Sequence, residues 1–188
     1  MSQTDHPAKP EYGRQTRLHN IFRRLWFQQV QWTRAFIIST AAGSGDLNAV
    51  TVRLFRNPGD FAGELSRFYG IRTATEFARL LTEHLTIAAQ LVNNQKTGDR
   101  AAASVTLKKW YHNADEIAAF LASVNPAWNR AQWQRMLYAH LKLTENEAAM
   151  RMSRKPESDT ALYDRIEESA MAMGDFMAAG ILKQYPAE

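Results

Sequence analysis

The chain has 188 residues, 45% hydrophobic and 22% charged, which is one domain's worth of sequence with apolar material for a core. It contains no cysteine, which excludes disulfides and thiolate chemistry and points to a cytoplasmic protein. The formal charge of +4 is modest and the most apolar window, residues 35–42, is too short to span a bilayer, so neither nucleic acid nor a membrane is the expected partner.

Residues 1–13 are polar, carry two prolines and read as a disordered leader; residues 14–188 read as a single helical domain. From Arg14 the residues Leu18, Phe22, Leu25, Trp32 and Phe36 follow a helical stripe that stops at Gly43 and Gly45. Asp46 caps a second helix to about Arg56, and Asn57-Pro58 restarts the chain for a short helix closed by Gly70. Thr73 with Glu76 opens a long helix to Gly98, and Asp99 opens the next, which Asn125-Pro126 stops. Asn129 begins another helix, Thr144 with Glu147 marks a turn or kink, and the last helix runs to about Lys183, interrupted at Lys155-Pro156. No segment alternates with period two between hairpin turns, so no sheet is expected. The expected fold is all-α, an up-and-down antiparallel bundle of about six helices, an architecture that includes the ferritin-like bundles.

Chemistry in such a bundle belongs where polar groups interrupt apolar stripes, because burying them unpaired is costly. The stripes place Gln29 of the first helix inward, and likewise His84, with Glu83 at the edge, and His140. His112 and Glu116 lie one turn apart beside the stripe Trp110, Ala114, Ile117, Leu121, with Asn113 at its margin; Tyr163 and Glu167 flank the core face of the last helix. A short echo repeats, a leucine followed by Gln29, His84 or His140 and then an aliphatic residue. Arg34 sits within the apolar part of the first helix and needs an acidic partner, for which Glu83, Glu116 and Glu167 are candidates, or an anionic ligand.

Three functional classes follow. The first is a pocket for a small molecule at a central polar cluster of Trp32, Arg34, Glu83, His84, Asn113, Glu116 and His140, without catalysis. The second is a ferritin-like metal site or oxidoreductase, with iron, manganese or zinc on His84, His140, Glu116 and Glu167, although the Glu-x-x-His pairs of such sites are absent and no cofactor is the simpler expectation. The third is a structural or interaction module, for example a homodimer through Phe61, Leu65, Phe68 and Tyr69. Phosphate-loop, Gly-x-Ser-x-Gly, His-Glu-x-x-His and kinase signatures are all missing.

The segments Leu25-Trp26, Trp32 to Ala41, Arg53 to Pro58 with Asp60-Phe61-Ala62, Leu81 to Leu85, Trp110-Tyr111, Asn113 to Ala118, and Met136-Leu137-Tyr138 with His140 resemble a family of small, uncharacterised bacterial helical-bundle proteins. Some members of that family carry the label acetylglutamate kinase. The resemblance runs from about Leu18 to the C-terminus and implies a helical fold but no activity. The label does not transfer, since genuine acetylglutamate kinases are α/β proteins with glycine-rich phosphate loops. The resemblance also implies a histidine in related chains where this one has Gln29, after an acidic residue where it has Gln28.

Overall fold

The computed structural model describes residues 9–186, and these form five helices with no strand among them. They are α1 (Lys9–Ala42), α2 (Leu47–Thr97), α3 (Arg100–Val124), α4 (Arg130–Met152) and α5 (Pro156–Gln184). The expected leader, residues 1–13, lies outside the described residues as far as position 8. Positions 9–13 already belong to α1, whose first turn tolerates Pro10 because an N–H there has no helical acceptor to lose.

The helix count differs from the expected six because residues 47–69 and 71–97 follow one another with no loop between them. Gly70 alone separates them, at φ 74 and ψ 166, a backbone region reserved for glycine. The two arms fold back on each other there, since the Phe61 and Phe77 rings meet edge to face at 5.5 Å. Asn57-Pro58 does not restart the chain as expected. The helix runs through both residues, which are buried against α1, and the Asn57 amide donates to the Leu25 carbonyl at 3.0 Å. Burial and that cross-helix bond outweigh the backbone hydrogen bond that proline forfeits.

Contacts close the bundle in the order α5, α1, α2, α3, α4 and back to α5. The α1–α5 pair is antiparallel: the Arg14 guanidinium donates to the Tyr185 carbonyl at one end, Arg23 meets Asp175 midway, and Arg34 meets Asp159 at the other. In contrast α1 and α4 run in the same direction, with Trp26 beside Trp133 and, further on, Arg34 beside Glu147. The expected turn at Thr144–Glu147 does not occur. Thr144 bonds back to the His140 carbonyl inside a continuous α4, and the chain turns instead at Ser153–Lys155 before Pro156 opens α5.

An aromatic block occupies one half of the core, with Phe22, Trp26, Phe61, Phe77, Trp128 and Trp133 all 0–1% exposed. A smaller cluster of Phe36, Ile37, Leu54, Leu85 and Ala148 fills the other end. The strip expected to make a dimer is used internally: Phe61 and Leu65 are core residues, and Phe68 and Tyr69 pack on Tyr185 and Trp128. No helix of the described residues is long and apolar enough to cross a membrane.

Candidate functional site

Between the aromatic block and the smaller cluster lies a layer of polar side chains with almost no solvent exposure: Gln29, His84, Asn113 and His140, each at 1–2%. They come from four different helices. The His84 and His140 rings lie 6.3 Å apart, centre to centre, with their planes 27° apart, and Trp110 closes on His84 at 5.2 Å. Thr33, Ala88 and Thr144, each one turn beyond Gln29, His84 and His140, line a common cavity, so the three members of the sequence echo lie at a similar height.

Asn113 fixes one end of this layer. Its Nδ2 donates to the Leu80 carbonyl at 3.2 Å, and its Oδ1 faces His84 Nδ1 at 2.9 Å. A backbone carbonyl can only accept, so the amide orientation follows from Leu80, and Nδ1 of His84 must carry the proton that it shares with Oδ1. The lone pair of His84 then resides on Nε2. Burial pulls the His84 pKa down to about 4, against the opposing hydrogen bond from Asn113. For His140 burial and the neighbouring His84 lower it to about 3. Both imidazoles are neutral at physiological pH.

His140 differs in having no hydrogen-bond partner on either ring nitrogen, and Gln29 Oε1 has none either. A buried polar atom without a partner costs on the order of 1–3 kcal/mol, which leucine in the same place would not. Against the layer lies a small cavity lined by Thr33, Ala88 and Thr144, each one turn beyond Gln29, His84 and His140, together with Leu85 and Trp110. Its volume is about 10 Å³, the space of roughly one water. Pockets for organic ligands measure about 300–1,000 Å³. The lining of this cavity does not include Gln29, His84 or His140 themselves.

The other residues assigned from sequence do not join this layer. Glu83 and Glu116 point outward into a surface groove between α2 and α3, of about 840 Å³, which also carries Arg79, Lys108, Lys109 and His112. Glu83 is bound there to Arg79 at 3.1 Å, and Glu116 lies 3.9 Å from His112. Glu167 is on α5 near Tyr163. Trp32 is half-buried at the edge of the smaller cluster, under the Arg53 guanidinium at 5.0 Å. The expected metal set of His84, His140, Glu116 and Glu167 is thus divided among the interior and two surfaces, and among the described residues no three acidic, histidine or cysteine side chains converge on a common point.

Arg34 is paired, but with neither Glu83, Glu116 nor Glu167. One guanidinium nitrogen donates to Glu147 at 2.6 Å and to Asp159 at 2.7 Å, and the second reaches Asp159 at 3.2 Å. Arg151 also pairs with Asp159, and the Tyr163 ring lies 4.6 Å from the Arg34 guanidinium carbon. Arg34, Arg151, Glu147 and Asp159 thus form a clamp across α1, α4 and α5, with Glu147 1% and Asp159 0% exposed. Burial pushes the Glu147 carboxyl up to about 7 although Arg34 opposes it, and it raises the Tyr163 phenol to about 12. Glu147 lies three residues after Thr144 and seven after His140, and Asp159 three residues before Leu162, so both extend the inward stripes of their helices. That spacing is the signal by which the pair could have been found.

No protein-family model matches the chain, and neither a curated protein nor a solved structure shows detectable similarity to it.

Proposed function

We propose that this protein is a non-catalytic binding protein that holds a ligand of atomic size inside the bundle, at the level of Gln29, His84 and His140. The observation that carries this reading is His140, 1% exposed, with neither ring nitrogen paired. The indole N–H groups of Trp26, Trp110 and Trp133 are buried without partners too, but each belongs to a large ring that fills the core, whereas leucine would fill the place of His140 at lower cost. The charged clamp ties α1 to α4 and α5, and packing of α1 on α2, α2 on α3 and α3 on α4 holds the other helices that supply the layer. The layer's groups are therefore held before any ligand arrives, which lowers the cost of binding.

Native mass spectrometry of the untagged full-length chain, purified without chelator, tests the reading. The parent should carry a small non-protein mass that denaturation releases, and His140→Leu should lack it while staying folded. Equal masses for the two chains, with His140→Leu more stable than the parent, would refute it.

A further inference from the structure

We infer that the ligand of this layer is a divalent transition-metal ion of the zinc, copper, nickel and cobalt group, bound by His84 Nε2, a ring nitrogen of His140 and Gln29 Oε1. This rests on the reading above, that the layer binds something, and names its chemistry.

The first argument is the tautomer. Leu80 orients Asn113, Asn113 takes the proton on His84 Nδ1, and Nε2 is left with its lone pair directed away from that relay. A metal-binding histidine is characteristically held in this way, with its other N–H donated to an oxygen that fixes the ring's rotation and raises its basicity. The second argument is distance. Two imidazoles on one tetrahedral ion, each at a metal–nitrogen distance of about 2.0–2.1 Å, have ring centres roughly 5 Å apart, and about 6.4 Å apart only if the ion lies in line between them. The observed separation is 6.3 Å, so the rings share a tetrahedral ion after closing on each other by about 1 Å. On α1, Gln29 carries a buried Oε1 without another partner, and it is the third donor if its amide turns toward the two rings. A cavity one turn beyond the donors, with the hydroxyl-bearing Thr33 and Thr144 in its wall, has the volume of about one water.

The donor set also selects the ion. Two imidazoles and an amide oxygen suit zinc, copper, nickel and cobalt, whereas magnesium, calcium and manganese favour carboxylate and water oxygens. None of the three donors carries a negative charge, so the ion's charge is compensated only through its bound water or by more distant groups. The site is consequently weaker than one containing a carboxylate or thiolate. Changing the one donor that is not an imidazole into a carboxylate should therefore strengthen it.

The test uses the full-length chain, stripped with chelator and then dialysed, with zinc or cobalt as the only added solute. Calorimetry should give one equivalent per chain, and cobalt should develop visible absorption bands of a nitrogen-containing site. His140→Leu should weaken zinc binding at least 100-fold. Asn113→Ala, which frees the His84 ring, should weaken it by about 10-fold, and Gln29→Glu should tighten it by about 10-fold. Nitrogen-15 spectra of the parent, which need no variant to fold, should show His84 protonated on Nδ1 and its Nε2 signal displaced by zinc. Unchanged zinc affinity in His140→Leu would place binding at a surface histidine and overturn the inference, as would no stoichiometric binding by the parent. If the parent nevertheless carries the releasable mass described above, the layer binds a ligand of another class and only the metal assignment fails. If neither is found, both readings fail.

Discussion

Replacing Arg34 with methionine tests how the charged clamp holds α1 to α4 and α5. The substitution keeps an unbranched apolar side chain in place but removes the guanidinium that meets Glu147 and Asp159 at 2.6 and 2.7 Å. Asp159 keeps Arg151, whereas Glu147, 1% exposed, loses its direct hydrogen-bond donor. Removing one partner of a buried ion pair typically costs about 3–5 kcal/mol, a large fraction of the roughly 5–15 kcal/mol stability of a domain. The loss should depend on pH through Glu147. Its folded-state pKa of about 7 lies above the ordinary 4.5, so the native state binds this proton more tightly than the unfolded chain does. The stability associated with this proton is fully present below the unfolded value and is lost as pH rises through about 7, by on the order of 3 kcal/mol in the parent. Without Arg34 the burial penalty on the charged carboxylate is unopposed, so the variant should lose more stability than the parent as pH rises. Urea unfolding followed by tryptophan fluorescence should accordingly give a deficit of about 4 kcal/mol at pH 8 and roughly half that at pH 5.5. Glu147→Gln should flatten the pH dependence of the parent. A deficit below about 1 kcal/mol at pH 8, or one equal at both pH values, would refute the assignment of Glu147 and Asp159 as the groups that depend on Arg34.

Two glycines make separate claims about packing. A Cβ on Gly180 would fall 1.9 Å from Trp128 Nε1, and Trp128 is 1% exposed with its indole N–H bonded to the Met177 carbonyl. Gly180→Ala should therefore lower stability by at least about 2 kcal/mol, seen as a fall in Tm; an unchanged Tm would mean that the ring can move aside at no cost. Gly70→Ala forces an L residue into φ 74, ψ 166 and should cost about 1–3 kcal/mol in chemical denaturation. A neutral result there would show that the α2 arms reverse at some other backbone geometry.

The sequence alone determined which segments are helical and which of their positions face inward. The stripes through Leu25, His84 and His140 and the stops at Gly43, Gly98 and Asn125 follow from local periodicity and backbone chemistry, which do not require knowledge of the partner helix. The need of Arg34 for a buried acid was equally legible, because a charge in an apolar stripe has to be paired. Which acid answers it was not. Glu147 and Asp159 lie 113 and 125 residues away along the chain, and only the parallel course of α4 and the antiparallel course of α5 beside α1 bring them to it. The same holds for His84 and His140, inward on their own helices but adjacent only through the rotation and stagger of α2 and α4. Glu116 and Glu167, each one residue from an inward position (Ile117 and Ile166), went to solvent-facing or flanking positions for the same reason. Periodicity fixes an angle on one cylinder, whereas a site requires the relative rotation and height of several, and those are settled by how the tryptophan block and the clamp pack together.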